Sequence, residues 1–337
     1  YSPQTMTKSV SNQLSLATTS ILGQPPKRRR VMGGFLLLLL LSNAAFSAPF
    51  ELVVAPVTDQ VYAIVGEIGP RRAENHGLNN TLGFVVTRSG VVLIGSGATP
   101  AGAQLIEEAV AQVTEQPIQL VVNVGVQDHH WLGNSYFAAK GIPIKALKRT
   151  TESQQQQLNH HLGRLQQQVG DEVHTVSPRY ATDVVDADRQ QFRFGGIRFE
   201  LLWQGDGHFV GDAVLWLPES ETLFTGDFVF HDRMLGVHPT TPVTQWQRTF
   251  HKLAELNPKY VIPGHGYPGD WEQAKRESGN YLDWLVHEVK KAQTGWMELE
   301  ETIEWLSQAP QYSHLLYFDG WHRKNIQQTF IQLESGG

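Results

Sequence analysis

No cysteine occurs in this 337-residue chain. That excludes a disulfide framework, a thiolate metal site and a thiol nucleophile. Basic charge is also scarce once the first 47 residues are set aside, because Lys8, Lys27, Arg28, Arg29 and Arg30 lie there without a single Asp or Glu. The other 290 residues carry 22 basic against 33 acidic side chains, a net of −11 where the whole chain has −6. Such a surface does not draw nucleic acid or anionic lipid by bulk charge, so neither is expected as a partner. Long apolar runs are missing too. The most conspicuous one, Phe35 followed by six leucines at 36–41, is too short for a comfortable membrane span. What remains is long enough for one large domain or two modest ones, with a substantial core.

The leucine run has a specific setting. Lys27-Arg28-Arg29-Arg30 precedes it, and residues 42–48 are small or neutral apart from Phe46. Charged, apolar and small-residue segments in that order make a secretory signal peptide. Cleavage after Ser47 puts Ala45 and Ser47 at the small positions, so cleavage near Ser47 and a periplasmic or secreted protein are expected. The membrane enters this reading only through an uncleaved anchor. Residues 1–47 are assigned to leader, and the fold is expected over 48–270 with a helical extension at 271–337.

From Phe50 onward, short apolar runs alternate with Gly, Asp and Pro. Runs at 52–55, 61–65, 81–87, 91–94 and 120–122 read as strands, with Arg88-Ser89-Gly90 as a hairpin turn. Leu105, Ile106, Ala109, Val110 and Val113 fall at helical spacing after Thr99-Pro100. Residues 151–169 read as a Gln-rich polar helix. A second round repeats the pattern: strands at 192–194, 197–203, 213–217 and 222–225, a helix at 245–256 and a strand at 260–262. Two such halves packed sheet on sheet, with helices outside, give a four-layer α/β sandwich.

Polar residues follow apolar strands at four places: Asn123 to His130, Gly207-His208, Gly226-Asp227 and Gly264-His265-Gly266. Strand ends are where α/β folds place their sites. His and Asp offer nitrogen and oxygen ligands suited to zinc, manganese or iron. Three or four ligands from separate strand ends leave coordination open for a water that ionises near neutral pH. Each residue also has a plain structural reading. Asp128 is a good N-cap for a helix starting near Trp131, His208 and His265 suit turns, and His160-His161 are read as solvated on a polar helix.

Four stretches in order carry a resemblance: VVLIGSGATPAGAQLIEEAV, VVNVGVQDHHWLGNSYF, GHFVGDAVLWLPESETLFTGD and VIPGHGYPGD. They resemble consecutive motifs of the metallo-β-lactamase superfamily. The tail FDGWHRKNIQQTFIQLE is similar to that of exported members associated with quinoprotein systems. The resemblance implies an αββα sandwich with a one- or two-zinc hydrolase site between the sheets. It matches His208, Asp227 and His265 to the family's later metal ligands. The principal motif, His-x-His-x-Asp-His followed by two residues and Gly, does not carry over. Counted back from Gly133, Gly125 and Gln127 stand for the two histidines, His129 for the aspartate, and His130 is retained. Shifted by one, Asp128-His129 keep the Asp-His pair, but Val124 and Val126 replace the histidines. Gly95-Ser96-Gly97 also lacks the family's usual aspartate.

The expectation from this resemblance is therefore one zinc ion rather than two, held by Asp128, His129, Asp227 and His265. His130 belongs to the candidate ligands through the ungapped register. His208 stands close by as ligand or general acid/base, and Asp128 or Asp227 orients the attacking water. The expected function is hydrolysis of a small-molecule ester, thioester, lactone or related bond. The alternative is a degenerate relative that binds a small molecule or serves as an accessory protein.

Overall fold

The computed structural model describes residues 50–336, so the expected leader and its cleavage point lie outside the described residues. Two sheets form the centre. The first has seven strands in sequence order, β1 (Val53–Pro56), β2 (Val61–Val65), β3 (Thr81–Thr87), β4 (Gly90–Ile94), β5 (Ile118–Val122), β6 (Ile144–Leu147) and β7 (Asp183–Val185). Its first four strands pair antiparallel and β4 through β7 pair parallel. The second sheet runs β12 (Tyr260–His265), β11 (Thr222–Phe230), β10 (Val214–Leu217), β9 (Ile197–Leu202), β8 (Arg189–Phe194).

Strand alternation shows how the sheets pack, because successive side chains face opposite sides. Val61, Ala63 and Val65 of β2 share one apolar core with Leu201 of β9, Leu215 of β10 and Phe224 of β11. Ile64, between them in sequence, instead joins a core with Ile106 and Val110 of α1 (Pro100–Ala111) and Phe137 of α2 (Asn134–Ala139). On the far side, Leu202, Val214 and Trp216 pack with Trp246 and Phe250 of α4 (Val243–Leu253). The result is helix, sheet, sheet, helix: the expected α/β sandwich. Pro100 at N1 and the Thr99 hydroxyl, which accepts from Gly102 N at 3.0 Å, start α1 where the sequence signals it.

Three differences from the sequence reading matter. Strands β6 and β7 are absent from it, since four residues containing Lys145 and three containing Asp183 leave little alternation to detect. α3 (Lys148–Val169) is polar as expected, yet His161 on it is buried while His160 is exposed. That corrects the solvated reading of His161, whose ring meets the Phe209 ring edge-on at 5.2 Å. And β11 does not stop at Thr225. It continues through Gly226-Asp227 to Phe230, with pairing irregularities against β12 on either side of Gly226.

After residue 270 the chain is helical: α5 (Trp271–Ala274), α6 (Asn280–Thr294), α7 (Leu299–Leu306) and α8 (Phe318–Glu334). Tyr281, Leu282 and Leu285 of α6 and Ile326 and Phe330 of α8 share the core under the second sheet. The extension therefore completes a hydrophobic layer. Among the described residues, no helix is long and apolar enough to cross a membrane.

Candidate metal centre

Four pieces of chain meet around one carboxylate. The stretch after β5 closes into one 3-10 turn, Asp128–His130, which fixes the directions of three consecutive side chains. β11 delivers Asp227 from within its irregular segment, and β12 ends on His265. The fourth contributor, His208, lies in the loop after β9.

Asp227 is the hub. Its Oδ2 lies 3.1 Å from His129 Nε2 and 3.9 Å from His208 Nδ1, and its Oδ1 lies 3.0 Å from His130 Nε2 and 3.5 Å from His265 Nε2. All five side chains are buried. One ligand atom each from His129, Asp227 and His265 fits within 4.8 Å of the others, a span one ion can bridge. Asp128 is not in that group. Its Oδ2 accepts from Arg71 Nη1 at 2.6 Å, and its Oδ1 accepts from the His129 backbone N–H at 3.1 Å. The structure thus places His129, rather than Asp128, against Asp227, as the ungapped register has it.

Burial holds His129 and His208 down to about 4, with the Asp227 charge opposing it in each case. Burial likewise keeps His265 well below the usual imidazole range. These rings are neutral at pH 7, with lone pairs available. His130 goes the other way: burial disfavours its charge, but Asp227, then Asp212 and Asp128, raise it. Asp227 stays well below the usual carboxylate range despite burial, because His130 and His129 stand against it.

The polar atoms here are short of partners. Asp227 Oδ1, His129 Nδ1, His130 Nε2 and both nitrogens of His208 are buried without an aligned hydrogen bond. Buried polar atoms ordinarily find one. An uncompensated set of imidazole nitrogens and a carboxylate oxygen fits a divalent cation, and zinc is the natural candidate for such ligands. The orientation of His265 supports this, since its Nδ1 donates to the Asn79 carbonyl at 2.8 Å and leaves Nε2 toward Asp227.

The altered motif has a steric correlate. A Cβ on Gly125 would fall 2.2 Å from His130 Cδ2, so the His130 ring occupies the space where a side chain at 125 would begin. Gln127, at the second altered position, lines the cavity above the site. Gly95 sits at φ +84°, a conformation an aspartate would adopt only with strain, and a Leu82 methyl lying 2.4 Å from its would-be Cβ would have to move. Amides hold the loop in its place. Ser96 Oγ donates to Asn134 Oδ1 at 2.8 Å, Asn134 Nδ2 donates to Asn123 Oδ1 at 2.7 Å, and Asn80 Nδ2 donates to the His129 carbonyl at 3.2 Å.

Sequence reasoning missed several contributors. Asp212 accepts from Phe209 N at 2.6 Å and Val126 N at 2.9 Å, tying the loop of His208 to that of His129. Burial, then repulsion from Asp227, pushes Asp212 up to about 7. Its only sequence signal is the Gly-Asp pair in GHFVGD. His238 stacks on His208, centroids 5.0 Å apart, from a loop with no strand-end signature. Arg71, Arg164 and Arg233 line the cavity, as do Tyr317 and Trp321 from the tail.

Comparison with known proteins follows the same lines. Residues 77–265 match the family model of the metallo-beta-lactamase superfamily. Metallo-beta-lactamase IND-1 of Chryseobacterium indologenes is 24% identical over 186 residues, covering 54% of this chain and 70% of that one. A metallo-beta-lactamase type 2 of Bacteroides fragilis is 32% identical over 81 residues, covering 23% and 32%. The alpha subunit of a 2,4-dinitroanisole O-demethylase from a Nocardioides strain is 28% identical over 97 residues, 29% and 28% of the two chains. The chain thus spans about a third or less of the latter two relatives. Among solved structures, a metallo-beta-lactamase from Pontibacter korlensis superposes with a TM-score of 0.55 at 21% identity, over 69% of this chain and 99% of that one.

Proposed function

The chain belongs to the metallo-β-lactamase superfamily, and from that premise we propose that it is a hydrolase working with a single metal ion, zinc by preference. His129, Asp227 and His265 would hold the ion, with His208 beside them. A zinc ion so held supplies Lewis acidity and hydroxide at neutral pH. The remaining work falls to the side chains. His208, neutral at pH 7, has its Nδ1 placed 3.9 Å from Asp227 Oδ2 to take a proton and return it to a leaving group. Asp128 does not suit the base role, because Arg71 and the His129 N–H already use its oxygens. It anchors the turn that presents His129. The bonds in scope are esters, thioesters, lactones and their relatives, since fold does not choose among them. Export to the periplasm belongs to the same proposal and rests on the sequence around Lys27 and Ser47.

The observation that carries this reading is the set of unpartnered nitrogen and oxygen atoms around Asp227. Elemental analysis of purified protein tests it. About one ion per chain is expected, with most of it lost in His265→Ala; near-zero metal in both would sink the proposal. A second reading, binding without turnover, is favoured by the His130 ring standing over Gly125, where relatives carry a ligand side chain. Nitrocefin, thioesters, lactones and phosphodiesters assayed with the metal-loaded protein separate the two. Turnover of any one of them excludes the binding-only reading.

A further inference from the structure

The cavity above the centre measures about 180 Å³, comparable with the ~150 Å³ site that admits benzene in an engineered protein. Its composition runs against the rest of the molecule. A chain with an excess of acidic residues brings three guanidiniums, Arg71, Arg164 and Arg233, to one small space. Arg71 has a counter-charge in Asp128. Among the described residues, Arg164 and Arg233 have no carboxylate within ion-pair distance.

Arg233 is 7% exposed. Its Nε has no hydrogen-bond partner, and its Nη1 reaches only the Gly69 carbonyl, at a long 3.4 Å. Its guanidinium lies 5.2 Å from the Tyr317 ring centroid. Arg164 comes from α3, and its one polar contact among the described residues is His238 Nδ1, also at 3.4 Å. Arg233 is thus a buried charge without a partner and Arg164 a half-buried one with a single long contact, and both line the cavity. Trp321 and His238, whose rings meet edge-on at 5.3 Å, line the same cavity.

We infer that this cavity takes a small organic dianion, its two acidic groups met by Arg164 and Arg233 and its body lying against Trp321 and Tyr317. The guanidinium fork suits a carboxylate, which it can bind through two parallel hydrogen bonds. The inference rests on the reading of this cavity as the substrate site, and it adds what that reading leaves open: the charge of the substrate. It also gives the C-terminal extension a part in selecting the ligand, through Tyr317 and Trp321.

Calorimetric titration of the purified protein with phthalate, benzoate and benzamide tests the inference. Phthalate is expected to bind most tightly, benzoate about tenfold more weakly and benzamide not measurably. Arg233→Gln should weaken phthalate at least ~30-fold, the loss typical of a truncated buried charge contact, and Arg164→Gln, at a half-buried position, about 10-fold. Their metal content should stay unchanged. Arg233→Lys, which keeps the charge without the fork, should fall between. In chelator-treated protein both arginine changes should still weaken phthalate, so a failure of the metal proposal leaves this result standing. Benzamide binding as well as phthalate would overturn the inference, and so would phthalate binding that survives both arginine changes. Thermal midpoints without ligand add a readout independent of binding. Removing an unpaired buried charge should leave the midpoint of Arg233→Gln unchanged or higher; a fall of more than about 4 °C would make the arginine structural and overturn the inference.

Discussion

Asp128 and Asp227 are both completely buried carboxylates of one site, and both are ionised, but their surroundings differ. Asp128 has a single cation beside it, Arg71, and both its oxygens accept hydrogen bonds. Burial works against its charge, yet the guanidinium, then His161 and His129, hold it at about 2. Asp227 faces four imidazoles, and its Oδ1 lacks an aligned hydrogen bond. A guanidinium is always charged and cannot ligate a metal, whereas a neutral imidazole can. The first arrangement is complete in the protein alone. The second calls for a cation from outside. Two carboxylates with the same burial thus do opposite jobs, one fixing a turn and the other opening a site.

Breaking the complete pair should have the largest effect. Arg71→Ala leaves Asp128 buried without a counter-charge and should cost about 3–5 kcal/mol by chemical denaturation. Arg71→Ala combined with Asp128→Asn should recover most of that, and strict additivity of the two changes would dissolve the pair. Next comes Asp227→Asn, expected to reduce metal affinity at least as much as the roughly 100-fold upper range for outer partners, read by competition with a chelator. An unchanged affinity would put Asp227 in the same structural class as Asp128. Asn134→Ala should cost about 1–3 kcal/mol of stability through the orphaned Asn123 and Ser96. It should also weaken metal about 10-fold, and a normal affinity would show that the amides hold the loop without tuning the ion.

Proton linkage separates the two carboxylate environments at smaller amplitude. Asp128, depressed to about 2, contributes stability fully present above the ordinary carboxylate value, about 4, and lost as pH falls toward 2. His208, depressed to about 4, is protonated first in the unfolded chain. Its effect in the metal-free protein is therefore stability lost as pH falls from about 6.5 to 4. His130, which is raised, and Asp212, at about 7, act in the opposite sense, so each variant is compared with the parent protein. His208→Gln should reduce the loss in the upper window, which His129 and His161 share, and Asp128→Asn should act mainly on the lower. An equal change in both windows for the two variants would mean the environments are not separate.

Much of the fold was legible because its signals are local. Runs such as 61–65 and 81–87 carry enough β-branched and aromatic residues to mark strands, and Thr99-Pro100 marks a helix start. The short strands β6 and β7 were not legible, because a four-residue strand with Lys145 in it takes its identity from its neighbours. In the site, His129, Asp227 and His265 could be read from the polar clusters that follow apolar runs. The role of Asp128 could not, since nothing near it in sequence announces Arg71, 57 residues earlier. His161 was misread for a similar reason: a polar helix looks solvated until Phe209 from a distant loop closes over one of its faces. Tyr317 and Trp321 reach the cavity only through the packing of the tail on the second sheet, which leaves no trace in local pattern.

The single 3-10 turn at Asp128–His130 has a consequence for how such a site changes over time. With three residues per turn, neighbouring side chains point about 120° apart, so one of them meets Arg71 and the next two meet Asp227. Gaining or losing one residue between Val122 and Asp128 would turn the whole set by one position. One added residue would set Asp128 where His129 stands, and one lost residue would set His129 where Asp128 stands, without any substitution. Loop length, as much as residue identity, sets which side chain of this turn faces Asp227.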